Sequence, residues 1–153
     1  MKNILIIGCG LLGSSLLRRI SKKKIAKKIY IHDKSKSNIA KIKKLKLPGT
    51  IVKSLKDGAI NSDLIIFCTP MNEYKNLIFK LNKINLSNKL ITDIGSSKIE
   101  SSKIIQKHLK KDLNWIQSHP IAGSEVSGPE NGREDMFVDR WCWIYRIAYV
   151  ETF

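Results

Sequence analysis

One stretch near the N-terminus constrains this chain more than any other. The apolar run Ile4 to Ile7 leads without a spacer into Gly8-Cys9-Gly10-Leu11-Leu12-Gly13. A short, β-branched apolar run suits a strand buried on both faces, here expected over Lys2 to Ile7. Three glycines at this spacing, opening a helix, do three different things. Gly8 permits the tight turn, Gly10 lets a pyrophosphate approach the backbone, and Gly13 lets the helix pack closely on the sheet. The helix start, with Leu11 and Leu12 in its first turn, offers free N–H groups and the positive end of its dipole to phosphate. Asp33 lies twenty residues beyond Gly13, at the end of a second expected strand, Lys28 to His32. A carboxylate there accepts hydrogen bonds from both ribose hydroxyls and repels a 2′-phosphate. The expected cofactor is therefore NAD; NADP is less favoured, although Lys34 leaves it some room.

The rest of the chain repeats the same alternation. Helices are expected over Leu11 to Ser21, Ser37 to Leu45, Asn72 to Leu81 and Lys98 to Leu109. Extended segments are expected at Thr50 to Lys53, Asp63 to Cys68, Lys89 to Thr92 and Asn114 to Gln117. Unbroken apolar strands alternating with helices imply an α/β domain: a Rossmann-type, doubly wound, mostly parallel sheet with helices on both faces. At 153 residues the chain suits one such domain. The stretch Ser118 to Gly132 holds three glycines and two prolines and reads as a functional loop.

A formal charge of +15, from 28 Lys plus Arg against 13 Asp plus Glu, raises the question of nucleic acid. Of the 28, 23 are lysines, all within the first 111 residues, and clustered arginines with interleaved aromatics are lacking. This is the pattern of a solvated basic face, and no nucleic-acid partner is expected. The run Lys22 to Lys28 falls where the first helix should end, where cations complement its dipole. No apolar run approaches the roughly 18 residues of a membrane span, and the first is too short for a signal-peptide core, so a cytoplasmic location is expected. Cys9, Cys68 and Cys142 have no pairing or metal spacing; they read as buried small residues, and no metal is expected.

Three further motifs fall at the carboxyl ends of expected strands, the edge at which open α/β sheets bind ligands. Thr69 and Pro70 should border the cofactor, although Pro70 also suits a strand end that starts a helix. In Asp93-Ile94-Gly95-Ser96-Ser97-Lys98, either serine can face the nicotinamide or substrate, or either can cap the next helix, Ser97 in a box with Glu100. His119 follows the last of these strands, with Pro120 fixing its turn. A neutral imidazole there can take a hydroxyl proton while hydride leaves the same carbon. His32 and His108 look incidental.

The combination of GCGLLG, Asp33, DIGSSK at Asp93 to Lys98 and SHPIAGSEVSGPENG at Ser118 to Gly132 resembles the prephenate dehydrogenase family of tyrosine biosynthesis. The similarity runs over residues 1–144. It implies NAD-dependent oxidative decarboxylation of prephenate to 4-hydroxyphenylpyruvate, with His119 taking the hydroxyl proton. By the same resemblance Ser96, rather than Ser97, bridges substrate hydroxyl, histidine and nicotinamide. Glu125 lies beside the substrate pocket, whose wall Gly123, Ser124 and Gly128 shape. Full-length family members are homodimers through an all-helical second domain, which supplies an arginine for the substrate carboxylates. Residues 145–153 depart from the family pattern, so a truncated or frameshifted reading frame, or a fragment of a longer protein, is expected. Alternatives are an arogenate dehydrogenase and a non-catalytic dinucleotide-binding module.

Overall fold

The computed structural model describes residues 2–146. Its strands are β1 (Asn3–Ile7), β2 (Lys28–His32), β3 (Thr50–Ile51), β4 (Leu64–Phe67), β5 (Leu90–Asp93), β6 (Asn114–Pro120) and β7 (Cys142–Arg146). The helices are α1 (Leu11–Lys22), α2 (Lys36–Lys44), α3 (Leu55–Ile60), α4 (Tyr74–Leu81) and α5 (Lys98–His108). The strands form one sheet in the order β3-β2-β1-β4-β5-β6-β7, parallel throughout except for the β6–β7 pair. This is the expected Rossmann-type architecture.

Because side chains alternate along a strand, β1 feeds two separate cores. Ile4 and Ile6 pack with Leu17, Ile20, Ile31 and Ile42 under α1 and α2. Leu5 and Ile7 pack with Ile65, Phe67, Ile78 and Ile105 under α3, α4 and α5. The second layer holds an aromatic trio: Phe67 meets Tyr74 and Trp115 edge-on, with ring centroids 5.3 and 4.7 Å apart. Such edge-on pairs add about 0.5–1.5 kcal/mol each beyond the area they bury.

The crossing from β1 into α1 depends on two glycines. Gly8 has φ +86°, and a Cβ on it would sit 2.8 Å from the Cys68 carbonyl oxygen. A Cβ on Gly13 would overlap the Gly8 carbonyl oxygen. Helix α1 ends at Lys22 with Arg19 and Lys22 in its last turn, as the dipole favours.

Several expectations are corrected. Helix α3 fills the stretch between Lys53 and Asp63, to which no element was assigned; it is short, and Gly58 hides its pattern. Its start is capped by Ser54, whose hydroxyl accepts from the Asp57 N–H at 3.1 Å. Gly58 packs closely on the sheet there: a Cβ would meet Leu5 Cδ1 at 2.7 Å, so Leu5 would have to shift. Strand β6 runs past Gln117 to Pro120, so His119 lies inside it, opposite Trp143 of β7. Antiparallel pairing leaves Pro120 at the strand end, where its missing N–H costs little. The residues before α4 form a 3-10 turn, Met71–Glu73, entered from Pro70. Ser97 makes no capping hydrogen bond, so the capping box with Glu100 does not form. Cys142 is exposed rather than buried. Strand β7 takes in Tyr145 and Arg146 from the stretch read as an atypical tail, of which residues 147–153 lie outside those described.

Replacing Gly13 with Ala should destabilise the fold by about 1–3 kcal/mol, the usual range for forcing extra atoms into a packed site. Gly10→Ala should cost much less, because a Cβ there has nothing within 4 Å. Urea unfolding of the two variants measures both.

Candidate functional site

In the sheet order β2-β1-β4 the chain reverses its winding direction between β1 and β4, which opens a crevice at their carboxyl ends. A cleft of about 770 Å³ lies there. Gly8, Gly10, Leu11, Leu12 and Asp33 line one part of it. Thr69, Pro70, Ser96 and His119 line the other, with Gly123, Ser124 and Gly128 on the loop that closes it. Of the residues expected at the site, Gly13 lies beneath the turn, against Gly8, and Glu125 is exposed and does not line the cleft.

Asp33 is held by its surroundings. Its Oδ2 accepts from the Cys9 N–H at 2.7 Å and the Asn38 side-chain amide at 3.1 Å, and its Oδ1 accepts from the Ser35 N–H at 2.8 Å. A carboxylate has about four acceptor positions; these three bonds hold the Asp33 side chain in place and leave a further position on Oδ1 open to the cleft. His32 also lines the cleft. Burial, and secondarily Lys80, holds its imidazole below the ordinary pKa, whereas Asp33 acts the other way. Ser35 and Asn38 were absent from the sequence-based site. The signal for them was local: an Asx turn from Asp33 to Ser35, then Ser35 capping α2 through the Asn38 N–H at 3.2 Å.

At the other end, the fully buried carboxylate of Asp93 organises the loop that carries Ser96. Its Oδ2 accepts from Lys98 Nζ at 2.6 Å, the Tyr74 hydroxyl at 3.1 Å and the Gly95 N–H at 3.1 Å. Its Oδ1 accepts from Trp115 Nε1 at 3.2 Å. Burial, then the Asp93 charge, pushes the Tyr74 phenol up, so that it stays protonated and donates. The Asp93 main-chain oxygen accepts from the Ser118 hydroxyl at 2.6 Å. Strand alternation then turns its neighbour His119 to the opposite side. One residue thus ties down both the Ser96 loop and the strand presenting His119.

The segment after His119 is clamped to α1. The Pro129 carbonyl accepts from Arg18 Nη2 at 3.1 Å, and Ser15 Oγ accepts from the Arg133 N–H at 2.9 Å. Lys41 of α2 meets Glu130 at 2.5 Å, and the Lys41 ammonium holds that carboxyl below its ordinary range. An adjoining cavity of about 470 Å³ shares His119, Pro120 and Gly123 and contains Arg133 and Arg140.

Two observations fit a dinucleotide to this cleft. The space a Cβ would fill on Gly10 is open and faces it. Thr69 Oγ1, on a cleft residue, is buried without a hydrogen-bond partner among the described residues. The two cysteines beside the glycine turn, Cys9 and Cys68, offer no competing nucleophile. Burial pushes the Cys9 thiol up to about 12 and raises Cys68 well above its ordinary value. Among the described residues there is no cluster fit to hold a metal ion, and no helix is long and apolar enough to cross a membrane.

The Asp93 cluster is testable through stability. Asp93→Asn leaves the Lys98 ammonium, only 13% exposed, without its counter-charge. It should cost about 3–5 kcal/mol in urea unfolding, part of which a second change, Lys98→Met, should restore.

Comparison with known proteins places these features in one family. Residues 16–144 match the family model described as prephenate dehydrogenase, nucleotide-binding domain; the glycine turn lies just ahead of the matched segment. The cyclohexadienyl dehydrogenase of Zymomonas mobilis is 29% identical over 90% of this chain and 47% of its own length. The prephenate dehydrogenase of Lactococcus lactis is 35% identical over 84% of this chain and 36% of its own. The structure of Aquifex aeolicus prephenate dehydrogenase, solved with hydroxyphenyl propionate and NAD+, superposes with a TM-score of 0.82 at 26% identity, covering 94% of this chain and 50% of that one. The chain therefore spans half or less of the length of these relatives. With the family model matched over most of its length on the expected sheet, the chain belongs to the prephenate dehydrogenase family, whose nucleotide-binding domain it carries.

Proposed function

We propose that this chain is the cofactor-binding and proton-accepting part of an NAD-dependent prephenate dehydrogenase of tyrosine biosynthesis. The observation that carries the reading is the continuity of the cleft, from the glycine turn and Asp33 at one end to Ser96 and His119 at the other. The α1 N-terminus and Gly10 receive the pyrophosphate, Asp33 a ribose hydroxyl, and Thr69 and Pro70 border the nicotinamide end. Bound NAD supplies the hydride acceptor. Ser96 hydrogen-bonds the substrate hydroxyl and orients it toward His119, whose neutral imidazole removes the proton. Loss of carbon dioxide and aromatisation to 4-hydroxyphenylpyruvate make the step effectively irreversible. Arg133 and Arg140, in the cavity that shares His119, supply cations for the substrate carboxylates. Groups from the remainder of a full-length protein complete that pocket.

Calorimetric titration of the folded chain should show NAD binding more tightly than NADP; binding of neither would remove the reading. In a full-length protein, His119→Asn should lower turnover by about 10²- to 10⁴-fold with little change in NAD affinity. Unchanged turnover would take His119 out of the mechanism. Assaying the same protein with prephenate and with arogenate identifies the substrate's side chain.

A further inference from the structure

The ribose end of the cleft carries more charge than Asp33 alone. Lys34, Lys41 and Lys80 line it together with Asp33, Glu73 and the imidazole of His32, which burial holds toward neutral. Two of the three lysines are already engaged. Lys34 Nζ meets Glu73 Oε1 at 2.6 Å, and Lys41 Nζ meets Glu130 Oε1 at 2.5 Å. Each pair bridges distant elements: Glu73 comes from the turn after β4, and Glu130 from the segment clamped on α1. Counting Asp33, Glu73 and Glu130 against Lys34, Lys41 and Lys80, the region is neutral.

A 2′-phosphate on the adenosine ribose brings close to two negative charges into this space and needs cations that are not already engaged. We infer that Glu73 and Glu130 are specificity-determining residues: by engaging Lys34 and Lys41 they withhold from a 2′-phosphate two of the three lysines that line this end of the cleft, and so reinforce selection of NAD over NADP. The inference rests on the reading that the cleft binds an NAD-type dinucleotide, and it adds residues that no glycine-turn or strand-end motif identifies. Its effect should be graded rather than absolute. The Lys34 and Lys41 side chains are 72% and 43% exposed, so each carboxylate competes with a phosphate rather than forbidding it.

The test is the ratio of NADP+ to NAD+ dissociation constants, measured by calorimetry on the chain and on single-residue variants. Glu73→Gln and Glu130→Gln should each lower that ratio by about two- to fivefold, the scale of an exposed ion pair, and the double variant further. Adding Lys34→Met to Glu73→Gln should cancel the gain. Glu134→Gln serves as a control of equal charge, because Glu134 pairs with Lys22 and lines no part of the cleft. It should leave the ratio unchanged. A wild-type chain that prefers NAD+ but keeps its ratio in both glutamine variants would overturn the inference and spare the reading beneath it. An equal shift in Glu134→Gln would also overturn it, by assigning the effect to net charge. Failure of the wild-type chain to bind either dinucleotide would overturn the underlying reading, and the inference with it.

Discussion

Helix α1 can lie where it does only because the Gly13 backbone rests against the Gly8 carbonyl. Any side chain at Gly13 would lift the helix, and with it the N–H groups at its start, away from the strand ends that bound the cleft. The same contact fixes what can pack around it. Cys9, directly after the turn, is fully buried and offers its N–H to Asp33, so the glycine turn and the carboxylate twenty-four residues away are one rigid unit. Ser14 and Ser15, on the next turn of α1, receive the segment from Pro129 to Arg133. The glycine contact thus positions both the glycine-turn end of the cleft and the loop that closes it.

Asp93 plays the corresponding part on the far side of the crevice. A buried ion pair gains little net stability once desolvation is counted, but removing one partner is costly, which makes the arrangement a strong constraint on geometry. Here the constraint spans four elements, since the partners come from α4, α5, β6 and the Ser96 loop itself. A loop joining a strand to a helix is ordinarily among the more mobile parts of a domain. This one is pinned at Gly95, immediately ahead of the serine that lines the cleft.

Much of this architecture was legible in the residues. The alternation of apolar strands with helices, the glycine turn, Asp33 and the placement of Ser96 and His119 at one sheet edge all follow from short-range patterns. What escaped had weak local signals. Helix α3 is six residues long and contains a glycine, so its periodicity is too brief to recognise. Residues 118–120 were assigned to the loop because Pro120 and the nearby glycines outweigh strand propensity, yet pairing with β7 extends the ladder through His119. Ser97 had the sequence of a capping residue, but the loop held down by Asp93 gives it no such bond. Glu125, carried by resemblance alone, sits outside the cleft.

By itself the sequence determined the fold class, the position of the glycine turn and the placement of Asp33, Ser96 and His119 at one sheet edge, because backbone sterics, strand and helix periods and glycine conformations act over a few residues. Only the tertiary structure decided how those side chains are held and what surrounds them. The Asp93 cluster, the Lys34–Glu73 and Lys41–Glu130 pairs and the clamp of Pro129 on Arg18 join residues up to 111 positions apart. Nothing in local spacing encodes such pairings. They arise where the winding of the sheet brings distant loops to one edge and charged groups meet there.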